Sequence, residues 1–363
     1  MPDSGPAHVA EQLLLEAVAD RLFPAAVAEV GSSQGALWHT AVGALTFDSD
    51  APQARVDTVF DLASLTKPMA TTTVVLDLMS QGVMPLDDRI TDLCPEWAGD
   101  DRRAVTIQDL LEHAGGLSAR LLDPPPDHPR AFEHEICAMP LEYVPRTRSI
   151  YTDLGFILLG LASERRAHRA FAAQVDSVLG ACLDAAANGA DHTELFSRVP
   201  SSALERTAPT TPMAEDHRRG RRLRGDVHDN YAAALGGLAG HAGLFGTVPG
   251  VAAFARVVLR ASRGDRTLPR PFTPDLVRRS TTPSTVPGSS RALGWDTMRP
   301  TSSCGSTLTA SAFGHVGFTG TSLWIDPERD RYYVLLSNRV CEGGTSEQMQ
   351  VVRRAFHDTL SAL

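Results

Sequence analysis

A single lysine, Lys67, stands among thirty-three arginines in this 363-residue chain. Positive charge is otherwise supplied by arginine, so a position that keeps lysine needs something a guanidinium cannot do. A guanidinium stays charged in any protein site, whereas a desolvated amine can lower its pKa and act as a base. Three positions upstream lies Ser64, which on a helix would share a face with Lys67. A serine hydroxyl beside an amine that can lose its proton is an activated nucleophile.

That pair has to be held by its surroundings. A short strand is expected over residues 57–62, running into a helix from Ser64 to about Gln81 that Gly82 closes. Pro68 is tolerated only near the start of such a helix, which would place the Ser64 hydroxyl at the positive end of the helix dipole. Upstream, Val9, Leu13, Leu14, Val18 and Leu22 recur at helical spacing over 8–22. Apolar runs at 25–31 and 36–46 flank Gly31-Ser32-Ser33-Gln34-Gly35 and read as a hairpin. Helical stretches at 86–93, 106–113, 152–163 and 168–187 are joined by loops, among them the proline-rich 123–129. The glycines of 234–246 suggest close backbone approach at the site. Thr247 caps a helix to about Arg263, a second hairpin is expected from 313–326 and 331–338 around Pro327-Glu328-Arg329-Asp330, and a helix over 345–361 ends the chain. The expected fold is α/β (α+β): an antiparallel sheet lobe from 1–81 and 246–363, flanked by the N- and C-terminal helices, with an inserted, mostly helical lobe over 82–245.

Two further motifs follow the Ser64/Lys67 pair in order: Tyr151-Thr152-Asp153, and His315-Val316-Gly317. On these residues the chain resembles the serine β-lactamase and penicillin-binding protein superfamily, and within it the class C-like branch of esterases and peptidases. Flanking stretches carry the likeness further, from Asp61-Leu62-Ala63 before Ser64 to Gly225-Asp226-Val227-His228-Asp229 and Gly240-His241-Ala242-Gly243-Leu244-Phe245. The resemblance implies a β-lactamase/transpeptidase-like fold and an acyl-enzyme on Ser64, with Lys67 and Tyr151 as its bases. It also implies an oxyanion hole made by the backbone N–H groups of Ser64 and Phe318.

Departures from that pattern bear on substrate. Where relatives read Lys-Thr-Gly, this chain reads His315-Val316-Gly317: Val316 has no hydroxyl, and an imidazole is mostly neutral at pH 7. Asp153 replaces an asparagine that could donate to a substrate amide; as a carboxylate it only accepts. Its charge would hold Lys67 protonated and shift the base role toward Tyr151. Asp153, His315, Gly317 and His241 are the expected substrate-binding or supporting residues. These changes favour a serine hydrolase for esters or simple amides over β-lactams and peptidoglycan stems. The alternatives are an acyltransferase to a small-molecule acceptor, or D-aminopeptidase, β-lactamase or D-alanyl carboxypeptidase activity. A non-catalytic binding module is disfavoured by the intact Ser64, Lys67 and Tyr151.

Other chemistry finds little support. The net charge of −9 argues against nucleic acid as a partner, and no run is long and apolar enough for a membrane span. No signal peptide is visible, and the five cysteines form no C-x-x-C pair, so a reducing, cytoplasmic address is expected. The twelve histidines form no metal-ligand spacing, with His128, His134 and Glu135 reading as solvent-facing, and no phosphate-binding loop occurs, so neither metal nor cofactor is expected. The five arginines of 217–224 read as carboxylate-paired or solvated. Ser33 sits in a literal G-x-S-x-G, but strand patterns on both sides make a turn the better reading than a nucleophile elbow.

Overall fold

The computed structural model describes residues 5–119, 125–186 and 192–363; Asp123 and Pro124 of the proline-rich loop lie outside them. Its main sheet has six antiparallel strands in the order β2-β1-β9-β8-β7-β6. These are β1 (Ala25–Ser32), β2 (Gly35–Gly43), β6 (Asp296–Thr297), β7 (Phe313–Val316), β8 (Ser322–Asp326) and β9 (Arg331–Ser337). A second, three-stranded sheet joins β3 (Phe60–Asp61), β5 (Phe245–Gly246) and β4 (Leu195–Phe196). The fold is the expected mixture of helices with an antiparallel sheet.

Side chains alternate across β1 as the pleat requires. Ala26, Ala28 and Val30 face the N-terminal helix Pro6–Ala19 and the C-terminal helix Ser346–Leu360, through Leu14, Met349 and Phe356. Ala25 and Val27 face the opposite layer, where the helix Val248–Ser262 packs with Val251 and Val258. A strand covered on both faces is mostly apolar on both, and every residue of β1 is buried; the acidic exception, Glu29, is satisfied by the Tyr332 hydroxyl, which donates to its Oε1 at 2.7 Å. Burial of Val27 and Val30 contributes about 1.5–3 kcal/mol each. That core fixes the sheet edge from which the third motif projects.

The expected hairpins form, with two differences. The run 36–46 leaves the sheet at Gly43, whose φ is 78°. The run 313–326 is two strands, β7 and β8, because Gly317 N–H bonds Thr321 O at 2.9 Å and closes a tight turn. Gly320, at φ 111°, permits that turn. Periodicity sees only the apolar residues on either side. The strand expected over 57–62 is reduced to Phe60–Asp61, with Val59 in an isolated parallel bridge to Thr207.

Candidate active site

Ser64 is presented by a bend that Asp61 holds. Asp61 Oδ1 accepts the Ala63 N–H at 2.8 Å, and Oδ2 accepts the His228 N–H at 2.7 Å. Ala63 takes the left-handed conformation, φ 47°, which costs a non-glycine residue roughly 1–2 kcal/mol. The Thr319 hydroxyl adds a bond to Asp61 O at 2.7 Å, tying the bend to the turn between β7 and β8. Asp61 is fully buried, and burial is the largest influence on it. The loss of water pushes its pKa up to about 6, against the two backbone N–H groups that favour the charged form.

The segment after Ser64 corrects one expectation. Ala63–Leu65 is a 3-10 turn, Lys67–Thr72 is a widened π-helical turn, and the α-helix begins only at Thr73. Pro68 is the physical reason: it lacks an N–H, and its ring crowds the carbonyl four residues back, so the turn opens. Ser64 still stands at the mouth of the helical run, and Lys67 Nζ reaches Ser64 Oγ at 3.0 Å.

Lys67 is completely buried. Its ammonium donates to Asp153 Oδ1 at 2.6 Å and to the His241 carbonyl at 3.2 Å. Burial is the largest influence and opposes the charge. The Asp153 carboxylate and the Tyr151 phenol together outweigh it and hold the Lys67 pKa above its ordinary value. These groups favour the charged amine over the proton-free one. Asp153 is at the N-cap of the helix Leu154–Ala167, yet it makes no capping bond; Thr152 Oγ1 accepts the Leu154 N–H instead, at 3.2 Å. That substitution frees the carboxylate for Lys67.

The glycine segment comes close to that helix rather than to an open site. A Cβ at Gly240 would overlap the Phe156 carbonyl oxygen and meet Gly160 N at 3.1 Å. Thr71 Oγ1 donates to Gly240 O at 2.5 Å. The close packing carries the His241 carbonyl to Lys67, while the His241 ring turns away to Asp229, Nε2 to Oδ1 2.8 Å. Burial works against the Asp229 charge, but His241 outweighs it and brings that carboxylate down to about 2.

Tyr151 lies within a ring of cationic and imidazole groups. Lys67 Nζ is 4.9 Å from its ring centroid and the Arg291 guanidinium 5.0 Å. The His113 ring is 4.7 Å away and the His315 ring 5.8 Å. Both histidines are buried, and burial followed by the Arg291 and Lys67 charges drives their pKa values far below the ordinary one. His315 Nδ1 faces the Val316 carbonyl at 2.8 Å, so Nδ1 carries the proton and Nε2 is a buried, unpaired acceptor.

These groups open onto a cavity of about 550 Å³ lined by Ser64, Tyr151, Asp153, His241, His315, Gly317 and Phe318. Gly317 packs on the bend that presents Ser64; a Cβ there would come 2.6 Å from Leu62 O and 3.2 Å from Ala63 Cβ. The Phe318 N–H has no partner among the described residues, and its ring, 55% exposed, stacks on His228 beneath Arg339. The motif residues Ser64, Lys67, Tyr151, Asp153, His315, Gly317 and Phe318 thus converge, and His241 joins them through its carbonyl.

His113, Arg291, Arg339 and Arg353 are additions that the motifs did not mark, and Asp61 lay in a flanking stretch with no role assigned to it. Only Asp61 left a local signal, an aspartate whose side chain can cap the bend two residues on. Ser33 lies in the β1–β2 turn, where its hydroxyl donates to Asp330 at 3.0 Å. Of the arginine run, Arg218 pairs with Asp216, Arg221 with Asp226, and Arg222 with Asp48 and Glu342. His134 is exposed and pairs with Glu96 at 2.7 Å. The five cysteines are buried free thiols, and no described helix is long and apolar enough to cross a membrane.

The chain is similar to known proteins over most of its length. Residues 11–354 match the model of the family described as Beta-lactamase. Over 325 residues the chain is 31% identical to an Escherichia coli (strain K12) protein that bears the provisional name D-alanyl-D-alanine carboxypeptidase, covering 79% of this chain and 70% of that one. The solved structure of simvastatin synthase (LovD) from Aspergillus terreus superposes with a TM-score of 0.74 at 19% identity, over 99% of each chain. EstCE1, described as a hydrolase with promiscuous acyltransferase activity, gives 0.73 at 18% identity, over 97% of this chain and 98% of its own. At those identities the two structures share the fold, and the likeness carries no more than that.

Proposed function

This chain belongs to the beta-lactamase family, and from that premise we propose that it is a serine hydrolase that forms an acyl-enzyme on Ser64 from esters or simple amides. One observation carries the reading: a buried ammonium, Lys67 Nζ, lies 3.0 Å from Ser64 Oγ and 2.6 Å from Asp153 Oδ1, beside the cavity.

In the proposed cycle Ser64 Oγ bonds to the substrate carbonyl carbon, and the carbonyl electrons move onto oxygen. The N–H groups of Ser64 and Phe318 receive that oxyanion. The serine proton passes through the Tyr151 oxygen to the leaving group as the carbon–oxygen or carbon–nitrogen bond breaks. Lys67 stays charged and stabilises negative charge on Oγ and on Tyr151. Water, or an alcohol acceptor, then bonds to the acyl carbon and gives its proton through the Tyr151 oxygen to Ser64 Oγ as the acyl–Oγ bond breaks. With an alcohol in place of water, acyl transfer is a second fate of the same intermediate.

Val316 and the uncharged His315 weaken the third motif as a carboxylate receptor. A second reading nevertheless has its own support. Arg291 lines the cavity beside Tyr151 with no carboxylate partner among the described residues. That cation suits a substrate ending in a carboxylate, such as the D-alanyl peptide named for the E. coli relative.

The test is turnover of a neutral short-chain ester, a D-Ala-D-Ala peptide and a cephalosporin, each with and without an alcohol acceptor. The reading expects the ester to have the highest kcat/KM and Ser64→Ala to lose at least about 10³-fold on it. Preferential cleavage of the peptide would move the assignment to the second reading. Turnover that survives Ser64→Ala would discard both.

A further inference from the structure

The C-terminal helix Ser346–Leu360 buries a cation that the proposed chemistry has not yet used. Arg353 is 8% exposed, and the charged group acting on it is Arg339, a like charge. A buried guanidinium needs compensation, and here two backbone carbonyls supply it. Arg353 Nη2 donates to Gly317 O at 2.6 Å and to Thr321 O at 2.8 Å. These are the first and last residues of the turn between β7 and β8. The next carbonyl, Phe318 O, accepts from Arg339 Nη2 at 2.5 Å.

The carbonyl of Gly317 and the N–H of Phe318 belong to one peptide plane, on opposite edges of it. Fixing the oxygen therefore fixes the direction of the N–H. Gly317 O takes a second donor as well, the Gly320 N–H at 3.1 Å, which uses both its lone pairs. The opposite edge is open: the Phe318 N–H has no protein partner among the described residues, and Gly317 rests on Leu62 and Ala63, next to Ser64. Hydrogen bonding to an amide oxygen also polarises the amide, so its N–H donates more strongly.

We propose that Arg353 is the positioning residue of the oxyanion hole: its guanidinium holds and polarises the Gly317–Phe318 peptide so that the Phe318 N–H meets the oxygen of the Ser64-bound carbonyl. The proposal rests on the acyl-enzyme reading above. Arg353 exchanges no proton and forms no bond in the reaction. It acts on the ester through one shared amide, and Arg339 restrains the following peptide in the same sense.

The experiment uses a neutral ester whose acyl carbonyl carries carbon-13, so that no ionic contact between Arg353 and substrate enters. The acyl-enzyme carbonyl stretch is read by isotope-edited infrared difference spectroscopy in wild type, Arg353→Lys and Arg353→Met. A polarised carbonyl absorbs at lower wavenumber. The expected order of wavenumber is wild type lowest, then Lys, then Met. With it, kcat should fall by about 10–100-fold in the Met variant, less than the ~10²–10³ of losing a donor outright, while KM changes little. A Ser64 adduct whose band ignores both substitutions, or a loss confined to KM, overturns the proposal while leaving the acyl-enzyme reading intact. Absence of any Ser64 adduct in the wild type overturns both. Should the Met variant fail to fold, the wild-type and Lys bands decide alone, because Lys keeps the buried charge but not the planar fork.

Discussion

The Lys67 ammonium lies 2.6 Å from the Asp153 carboxylate, and that pairing decides what the lysine can do. A buried amine without a partner would shed its proton and become a base; with Asp153 alongside, it is held as a cation. Asp153→Asn removes the opposing charge and leaves burial as the main influence, so the Lys67 pKa should drop. The account gives Lys67 an electrostatic role that needs the proton. The alkaline limb of kcat/KM for a neutral ester should therefore move to lower pH in Asp153→Asn. A limb that stays in place would remove Lys67 from that role.

Charge alone does not explain why this position is lysine. The site around Nζ is fully buried and offers three single acceptors: Ser64 Oγ, Asp153 Oδ1 and His241 O. A guanidinium is larger and needs a planar, forked set of acceptors. Lys67→Arg should fold less stably and lose about 10²-fold or more in kcat/KM, on the scale of other displaced catalytic groups. Ester hydrolysis assays on the purified variant check this; wild-type rates would show that any cation suffices.

Asp61 gives a stability signature with a definite sign. Its folded pKa, about 6, lies above the ordinary carboxylate value of 3.8. The folded state therefore binds more protons than the unfolded one between those values, and stability from this group falls as pH rises from about 4 to 6. The penalty above that window is on the order of 2–3 kcal/mol. Asp229 and Arg218 are the charges acting on Asp61, and neither Asp61→Asn nor the pH change in this window removes them. Asp61→Asn should thus gain stability relative to wild type as pH rises from 4 to 7, read by urea unfolding at several pH values. A difference that stays flat across the window contradicts the assignment.

Gly240 tests the packing that brings His241 O to Lys67. Alanine there would collide with the Phe156 carbonyl, backbone against backbone, with no side chain to move aside. Overpacking of this kind typically costs about 1–3 kcal/mol, occasionally more. Gly240→Ala should lower Tm and weaken acylation together, whereas Gly236→Ala, where a Cβ meets nothing within 4 Å but φ is 98°, should carry only backbone strain. Equal activity in the two variants would detach the glycine segment from the site.

Ser64 and Lys67 were legible from residue type and short spacing, and Tyr151-Thr152-Asp153 from the family resemblance. The β1–β2 hairpin and the two terminal helices were legible because each carries an apolar period over a dozen or so residues. The π-helical turn was not, since Pro68 disturbs the backbone without altering the apolar pattern. The two-residue strands β3, β4, β5 and β6 are too short for alternation to register. Arg291 and Arg353 reach the site from remote segments, and in a chain with thirty-three arginines nothing local marks either one. The glycines of 234–246 suggested close backbone approach, but not its partners: those of Gly240 and Gly243, Phe156 O and the Gly237–Leu238 backbone, belong to packing that spacing does not show.

The most direct test is intact-mass spectrometry of the folded protein, quenched within its first turnovers on a short-chain activated ester, followed by peptide mapping. The account predicts a mass increase equal to one acyl group, located on Ser64 and missing from Ser64→Ala. An adduct on another side chain, or hydrolysis that proceeds undiminished with Ser64 replaced, would contradict it.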